Sequence, residues 1–491
     1  MSDTDEGIGC KFVSTALGSE TVRVLAIDGV ERLGTLYEFR VRFQRDTGPL
    51  TEAELDKLLL APCAFTLDPD ANDVVKGIAR EVEIHEAMAG HPAVYDVIVV
   101  PTVWLLTISK LSRVFQHMSV KDMAANVLGQ YSLDDGKHFD LRITASDKRD
   151  FCIQYHESDW DFLQRWFEHE GYFYWFEHSS TGETLVVADS NQAAKPITGN
   201  STLPYRDLGG LVRTEDSVFH WRSVQKRIPA HVVLKDYNEQ KPLLPMVGLA
   251  DIDRKRGFGV FYEYGDNFDA PATGNALAKK RAERFIAERL TLHGVTDCTR
   301  IHVGHSFELM DHYHDEQNRT YLITAIEYRV GKIPASSGDR ETVGYRATFE
   351  AIPLDVQYRP ERKTEWPSIH GLIHGHIDSD SSGKFSTLDE QGRYRVRFPF
   401  DTGGKVGESC STWVRMAQQY AGSGYGSHHT LHKGTEVVVA FIDGDPDRPI
   451  IVGTVPNAVT QGPSTSANAT QSGTKTASGL HITMDDSLTK S

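Results

Sequence analysis

The sequence predicts a mainly β protein with a few helices, divided into several domains, and three observations carry that prediction. Apolar and polar residues alternate with period two along most of the chain, as in "LYEFRVRF" (36–43), "TYLITAIEYRV" (320–330), "YRATFEAI" (345–352) and "GRYRVRFPFD" (392–401). Only three stretches carry the i, i+3, i+4 spacing of a helix with one buried stripe. At 491 residues the chain is too long for one core, and about two to four domains are expected.

The elements follow in chain order. In 36–43, Tyr37, Phe39, Val41 and Phe43 share one face, with Glu38, Arg40 and Arg42 on the other. The apolar tract "VYDVIVVPTVWLLTI" (94–108) is broken by Asp96 and Pro101, is too short to span a bilayer, and reads as buried strands. Segment 119–129 is a helix with Ser119 as N-cap, Asp122 three residues on, a stripe of Val120, Met123, Ala124, Val127 and Leu128, and Gly129 closing it. Segment 158–171 is a second helix. Ser158 caps it, Asp159 and Asp161 sit at its positive end, Phe162, Leu163, Trp166 and Phe167 are buried, and Gly171 stops it. The third, 275–290, pairs an apolar stripe with a solvated Lys/Arg/Glu face.

Pro360 and Pro367 bracket "PERKTEWP", which reads as a domain linker. A compact β-module follows to Asn457, then a Ser/Thr/Gly-rich stretch (458–479) unable to bury a core of its own. The closing strand Leu480, Ile482, Met484 has no expected partner in its own chain, and a lone strand is stable only if other copies pair with it.

Composition narrows the function classes. Hydrophobic content of 40% and charged content of 24% are those of a soluble globular protein, and the net charge of −16 opposes nucleic-acid binding. The five cysteines are scattered without a C-x-x-C pair, which suits reduced, buried thiols. The acidic start lacks a signal-peptide pattern, so the protein is expected to be made in the cytoplasm and to leave, if it leaves, without a cleaved signal.

Enzyme signatures are incomplete. "GHSFE" (304–308) has Glu308 where a nucleophile elbow needs glycine, leaving Ser306 an ordinary strand serine. "TGGKV" (402–406) lacks the flanks of a phosphate loop and reads as a turn. His302, His305, His312 and His314, and later His428, His429 and His432, cluster without a metal-ligand motif and read as polar loop residues. "DGDPDRP" (443–449) has Arg448 where a calcium loop needs glycine, and reads as a turn joining strands 436–442 and 449–455. No catalytic residue, cofactor or metal is expected.

The strand at 392–401 sets Arg393, Arg395 and Arg397 opposite Tyr394, Val396, Phe398 and Phe400. Single-strand nucleic-acid binders interleave cations with exposed aromatics. Here the aromatics lie on the other, apolar face, so the arginines are expected to pair with carboxylates of their own or a neighbouring chain.

Several of these segments resemble one family. "RDFCIQYHESDWDFLQRWFEHEGYFYWFEH" (149–178) resembles the Q-Y-x-E-S-x-x-x-F-x-x-R stretch of VgrG, the spike protein of the bacterial type VI secretion system, and "VVADS" (186–190) fits the strand that follows. Gln154, Tyr155, Glu157, Ser158, Phe162, Arg165, Glu170 and Gly171 carry that match. "DEQGRYRVRFPFD" (389–401), with Gly392 and Arg393, is similar to part of the family's OB-fold domain. The segment 411–457 continues it with Trp413, Arg415, Gly434, Glu436, Gly444, Asp445, Pro446, Asp447, Arg448, Pro449 and Asn457. "TASGLHITMDD" (476–486) is similar to the start of the family's needle.

The resemblance implies tail-hub-like paired β-barrel domains over 1–365, an OB-fold β-barrel over 366–457, and over 458–491 a neck and the start of a triple-stranded intertwined β-helix. It implies a homotrimer that caps the hexameric Hcp tube, contacts baseplate proteins, carries effector cargo and is driven through the target envelope. No enzyme activity, cofactor or nucleic-acid partner is implied. The sequence departs from the pattern in two ways. It stops at Ser491, short of the long needle that carries a PAAR-repeat tip protein, and it lacks the lysozyme domain that phage relatives insert. The spike of an extracellular contractile system or phage tail is the alternative within the same architecture. An OB-fold nucleic-acid binder and a His-cluster metallohydrolase are the remote ones.

Overall fold

A strand with one apolar row must place that row against a core, and strand Glu38–Arg45 does so, with Tyr37, Phe39, Val41 and Phe43 all buried. The structure, a computed structural model, describes residues 8–18, 20–68, 74–85, 93–206, 215–334 and 341–487. The chain forms two compact units. The first spans 1–110, 119–147 and 158–365, and the second 111–118, 148–157 and 366–491. Two short stretches from the N-terminal half thus belong to the C-terminal unit.

The frame of the first unit is a thirteen-stranded sheet among the described residues. Its middle is strands Glu38–Arg45 and Arg23–Arg32, followed by the long antiparallel pair Thr320–Pro334 and Glu341–Pro353. One end is Phe12–Ser14, Pro62–Thr66, Val74–Ile84 and Ala93–Val100, and the other is Leu290–Thr296 and Val218–Gln225. Strand His305–Met310 joins at Thr320–Pro334, with Ser306 buried in it as an ordinary strand residue. Two three-stranded sheets complete the unit, one of Phe139–Arg142, Phe173–His178 and Glu183–Ala188, the other of His231–Asp236, Met246–Asp251 and Val260–Tyr264.

Among the described residues there are four α-helices: α1 (Glu52–Leu58), α2 (Val120–Gln130), α3 (Asp159–Glu170) and α4 (Pro271–Arg289). In α2, Ser119 and Asp122 exchange side-chain-to-backbone hydrogen bonds in a capping box, worth about 1 kcal/mol. In α3, Ser158 accepts from the Asp161 N–H, and Gly171 ends the helix in the left-handed conformation at φ 70. Both N-termini and the α3 stop match the sequence reading. No helix among the described residues is long and apolar enough to cross a membrane.

Five local expectations need correction. Helix α1 was not foreseen, although Thr51 and Glu54 form a full capping box. Gly129 does not close α2: the helix runs to Gln130, and Ser132 takes the left-handed position at φ 59 beyond it. The tract 94–108 is a strand only to Val100, because after Pro101 a 3-10 turn (Thr102–Thr107) follows. The charged face of α4 is not simply solvated, since Arg281 is buried against Asp266 at 3.2 Å. The closing strand is not alone: His481–Asp485 pairs antiparallel with Gln471–Lys475.

The second unit is built on a five-stranded sheet in the order Arg395–Arg397, Ile373–Asp378, Glu436–Phe441, Pro449–Thr454 and Arg415–Met416, the last pairing parallel. Its core includes Tyr394, Val396, Phe398, Val437, Val439 and Ile451. A two-stranded ribbon, Lys110–Ser119 with Lys148–Ser158, adds Val114, Phe151 and Ile153 to the same core.

Candidate functional site

The arginine strand and the ribbon that packs beside it form the part of the second unit where the sequence concentrates charge. Burial of Tyr394 and Val396 fixes the strand's inner face, so its arginines must leave on the other side. Regular pairing covers only Arg395–Arg397, with Tyr394 bridging to Val414 and a turn after Phe398. Arg393 Nε donates to Asp389 Oδ2 at 2.6 Å, and the Arg393 N–H donates to the other oxygen at 2.8 Å. Burial pushes Asp389 up, but these hydrogen bonds hold its carboxyl below the usual value. Arg395 lies over the Trp413 ring at 4.3 Å and donates to the Ser411 carbonyl. Arg397 is the open one: its side chain is 50% exposed and 4.0 Å from Asp378. Within the chain, then, two of the three arginines are engaged by their own unit.

The ribbon is tied to this region by polar contacts at both strands. Thr402 N–H donates to the Ser112 carbonyl at 2.9 Å, and Gln116 Nε2 to the Ser409 carbonyl at 2.7 Å. From the other strand, the Ile153 N–H donates to Asp447 Oδ1 at 2.6 Å. Gln154, Tyr155 and Glu157 therefore sit in the second unit. Gln154 Oε1 accepts from Arg113 Nε at 2.9 Å, Tyr155 meets the Phe400 ring edge-on at 5.4 Å, and Glu157 accepts from the Tyr155 N–H.

The turn 443–449 explains its own composition. Asp443 and Gly444 both have positive φ, and a side chain on Gly444 would strike Ser368 Oγ at 2.3 Å. Asp445 accepts from the Asp447 N–H at 2.9 Å and pairs with Arg448 at 3.4 Å, while Pro446 and Pro449 stiffen the loop. Asp447 is thereby aimed at the ribbon. Gly392 and Gly434 hold turns at φ 73 and 84. Glu436 binds His374 Nδ1 at 2.7 Å and Asn457 Nδ2 at 2.6 Å, closing the end of the sheet; Arg415 lies in the last strand, paired with Ile450.

The remaining motif residues belong to the first unit. Phe162 and Arg165 are buried in α3, with the guanidinium 5.1 Å from the Phe162 ring. Glu170 pairs with Lys280 at 2.8 Å. The sequence motif thus divides at Glu157 and Ser158 between the two units. Sequence reasoning missed the ribbon's place, although "FCI" (151–153) carried the apolar signal.

The histidine cluster makes local contacts: His312 Nδ1 accepts from the His314 N–H at 3.1 Å, and its ring stacks on Tyr313. Among the described residues, Glu83, His85 and Asp96 alone have donor atoms close enough for a metal. Arg42 already holds Asp96 at 2.8 and 2.9 Å and Arg40 at 3.2 Å, which makes this group a salt-bridge network.

An exposed apolar row lies on the last described hairpin. The hairpin Gln471–Lys475/His481–Asp485 presents Leu480, Ile482 and Met484 in one row at 74%, 74% and 60% exposure. A two-stranded hairpin with its apolar row in water is marginal by itself.

Comparison with known proteins identifies the architecture. Residues 30–333 match the phage tail baseplate hub (GPD) family, and residues 385–455 the type VI secretion system/phage-baseplate injector OB domain. The chain is 32% identical over 479 residues to the type VI secretion system spike protein VgrG1c of Pseudomonas aeruginosa, covering 95% of this chain and 64% of that one. It is 30% identical over 478 residues to VgrG1a of the same organism, covering 95% and 72%. It therefore spans a little under two thirds of the first relative's length. Among solved structures, an E. coli component of the type VI secretion system, described as similar to two bacteriophage T4 tail proteins, aligns with TM-score 0.67 at 22% identity over 91% of this chain and 100% of that one. A chain of a Francisella PdpA–VgrG complex aligns with TM-score 0.60 at 11% identity, over 97% of this chain and 75% of that one. The fold is a tail hub followed by an OB domain, and the chain belongs to the VgrG family of type VI secretion system spike proteins.

Proposed function

We propose that this protein is the homotrimeric spike of a type VI secretion system, seated on the Hcp tube and the baseplate and driven through a target envelope with effector cargo. The observation that carries the reading is the uncovered row Leu480, Ile482 and Met484 on the terminal hairpin. Three copies of that hairpin, wound as the start of an intertwined β-helix, would bury the row and pair the hairpin's open edges. In this reading the arginine strand lies in a structural collar, and Arg397, half-exposed, is the one placed to meet a neighbouring chain.

The role is mechanical rather than enzymatic, and export is by the secretion machinery itself. A PAAR tip is not part of the proposal for these residues. Relatives at about 30% identity carry the type VI name, which favours this reading over a phage or extracellular particle.

The test is complementation of a spike-deleted, contraction-competent bacterium. Restored release of Hcp into the medium is expected from the wild-type gene. Release should be lost with Leu480→Asp/Ile482→Asp. Full release from the double variant would contradict the reading.

A further inference from the structure

The segment between Pro353 and Trp366 carries no regular structure beyond a turn at its start, and it runs into the stretch from Pro360 to Pro367 that reads as a domain linker. Its contacts say otherwise. At its start, Asn191 acts as a template: its Nδ2 donates to the carbonyls of Leu354 and Val356 at 3.1 and 2.7 Å, and its Oδ1 accepts from the Tyr358 N–H at 3.0 Å. The Tyr358 ring meets Phe173 edge-on at 5.2 Å.

At its centre, Arg359 Nε donates to Glu283 at 2.8 Å, and its Nη1 donates to the carbonyls of Gly171 and Asp189 at 2.9 and 2.7 Å. Gly171 is the stop of α3, where free carbonyls and the helix dipole favour a cation. Arg362 then bonds Glu263 at 3.1 Å and the buried Asp266 at 2.8 Å. At the far end, Glu168 Oε2 accepts both the Lys363 and Thr364 N–H groups at 2.9 Å, and Oε1 accepts the Thr364 hydroxyl at 2.8 Å.

Arg359 and Arg362 line a small open cleft of about 210 Å³ beside α4. Arg284 and Lys280 line it too, but each already holds a carboxylate, at 2.8 Å from Glu361 and Glu170 respectively. Its cations serve the segment and the negative end of α3, which argues against a site for a free anion.

We propose that Glu168, Asn191 and Arg359 clasp residues 354–364 to the hub, so that the segment is a fixed part of the hub and not a free linker. Three backbone donors that a free linker would leave to water, those of Tyr358, Lys363 and Thr364, are taken up by hub side chains, and between them Arg359 reaches from the segment to hub acceptors. A hydrogen bond to a charged group is among the stronger contacts available at a protein surface. Only the purpose of the clasp, transmitting load without slack, rests on the spike reading.

Amide hydrogen exchange on the purified full chain tests it, with trypsin cleavage at Lys363–Thr364 as a second readout. In the wild type, the amides of Tyr358, Lys363 and Thr364 should be protected and the bond resistant. Glu168→Ala should speed exchange at Lys363 and Thr364 by about 10-fold or more, with Tyr358 unchanged, and expose the bond to trypsin. Asn191→Ala should do the converse at Tyr358. Unchanged amides in Leu185–Ala188 certify an intact hub. Should Glu168→Ala fail to fold, Arg359→Gln, on the segment itself, should raise exchange at all three amides. Wild-type amides exchanging as fast as an unstructured peptide, or variants leaving them unmoved, would overturn the clasp. Neither result depends on assembly or secretion, so failure here and failure of the spike reading are separable.

Discussion

Asp447 Oδ1 accepts the backbone N–H of Ile153 at 2.6 Å across 294 residues of sequence. That bond ties the tip of the OB hairpin to a ribbon that the chain contributes much earlier. It explains why the turn is so rigidly composed: Gly444, Pro446 and the Asp445–Arg448 pair hold one carboxylate in place.

Replacing Asp447 with alanine leaves the Ile153 donor without this acceptor. A loss of about 1–3 kcal/mol is expected, confined to the second unit. Denaturant unfolding followed by exchange at Val437 and Ile451 should show it, while the hub amides of Phe39 and Val97 stay as in the wild type.

The three arginines should separate by environment. Arg395→Ala removes the stack on Trp413 and a bond to the Ser411 carbonyl, and should cost about 1–2 kcal/mol. Arg397→Gln, on an exposed side chain, should stay within about 0.5 kcal/mol. Equal effects of the two in thermal melts would show that the stack contributes nothing.

Acid should weaken the hub through Asp96. Burial pushes its carboxyl up, but Arg42 and His85 pull it further down, from 3.8 to about 2. A depressed carboxylate contributes stability that is complete above pH 3.8 and lost as pH falls through about 2. Asp96→Asn should therefore be less stable than wild type by about 2 kcal/mol near neutrality, with the gap closing between about pH 4 and pH 2. A gap independent of pH would rule out this role.

The thiols should be inert in the native state. Burial pushes Cys10 and Cys63 up to about 11 and Cys298 and Cys410 up to about 12, and Cys152 is buried as well. At pH 8 only about one thiol in a thousand or fewer of these four is ionised. Colorimetric thiol titration should be slow until denaturant is added, then count all five.

Much of this was legible because it is local. Alternation placed Phe39 and Val396 inside, and Ser119, Ser158 and Gly171 marked helix ends by chemistry that needs only neighbours. What escaped depends on distant partners. Phe151 and Ile153 looked like part of the hub because nothing nearby says which core they enter. Arg281 looked solvated because its carboxylate lies in another segment, at Asp266. Gln471–Lys475 has no apolar residue to reveal a strand, since it is held by the backbone of its partner and by Thr474 and Ser472 set opposite Ile482 and Met484. The connector read as a linker because its order comes from Glu168 and Asn191, far upstream.

The solution mass of the purified chain, by sedimentation at low and high salt, tests the spike most directly. A trimer near three times 54.8 kDa is expected, stable to salt because an apolar row seals it, and falling to monomer with Leu480→Asp/Ile482→Asp. A wild-type chain that stays monomeric at every concentration, or a trimer untouched by those substitutions, would contradict the account.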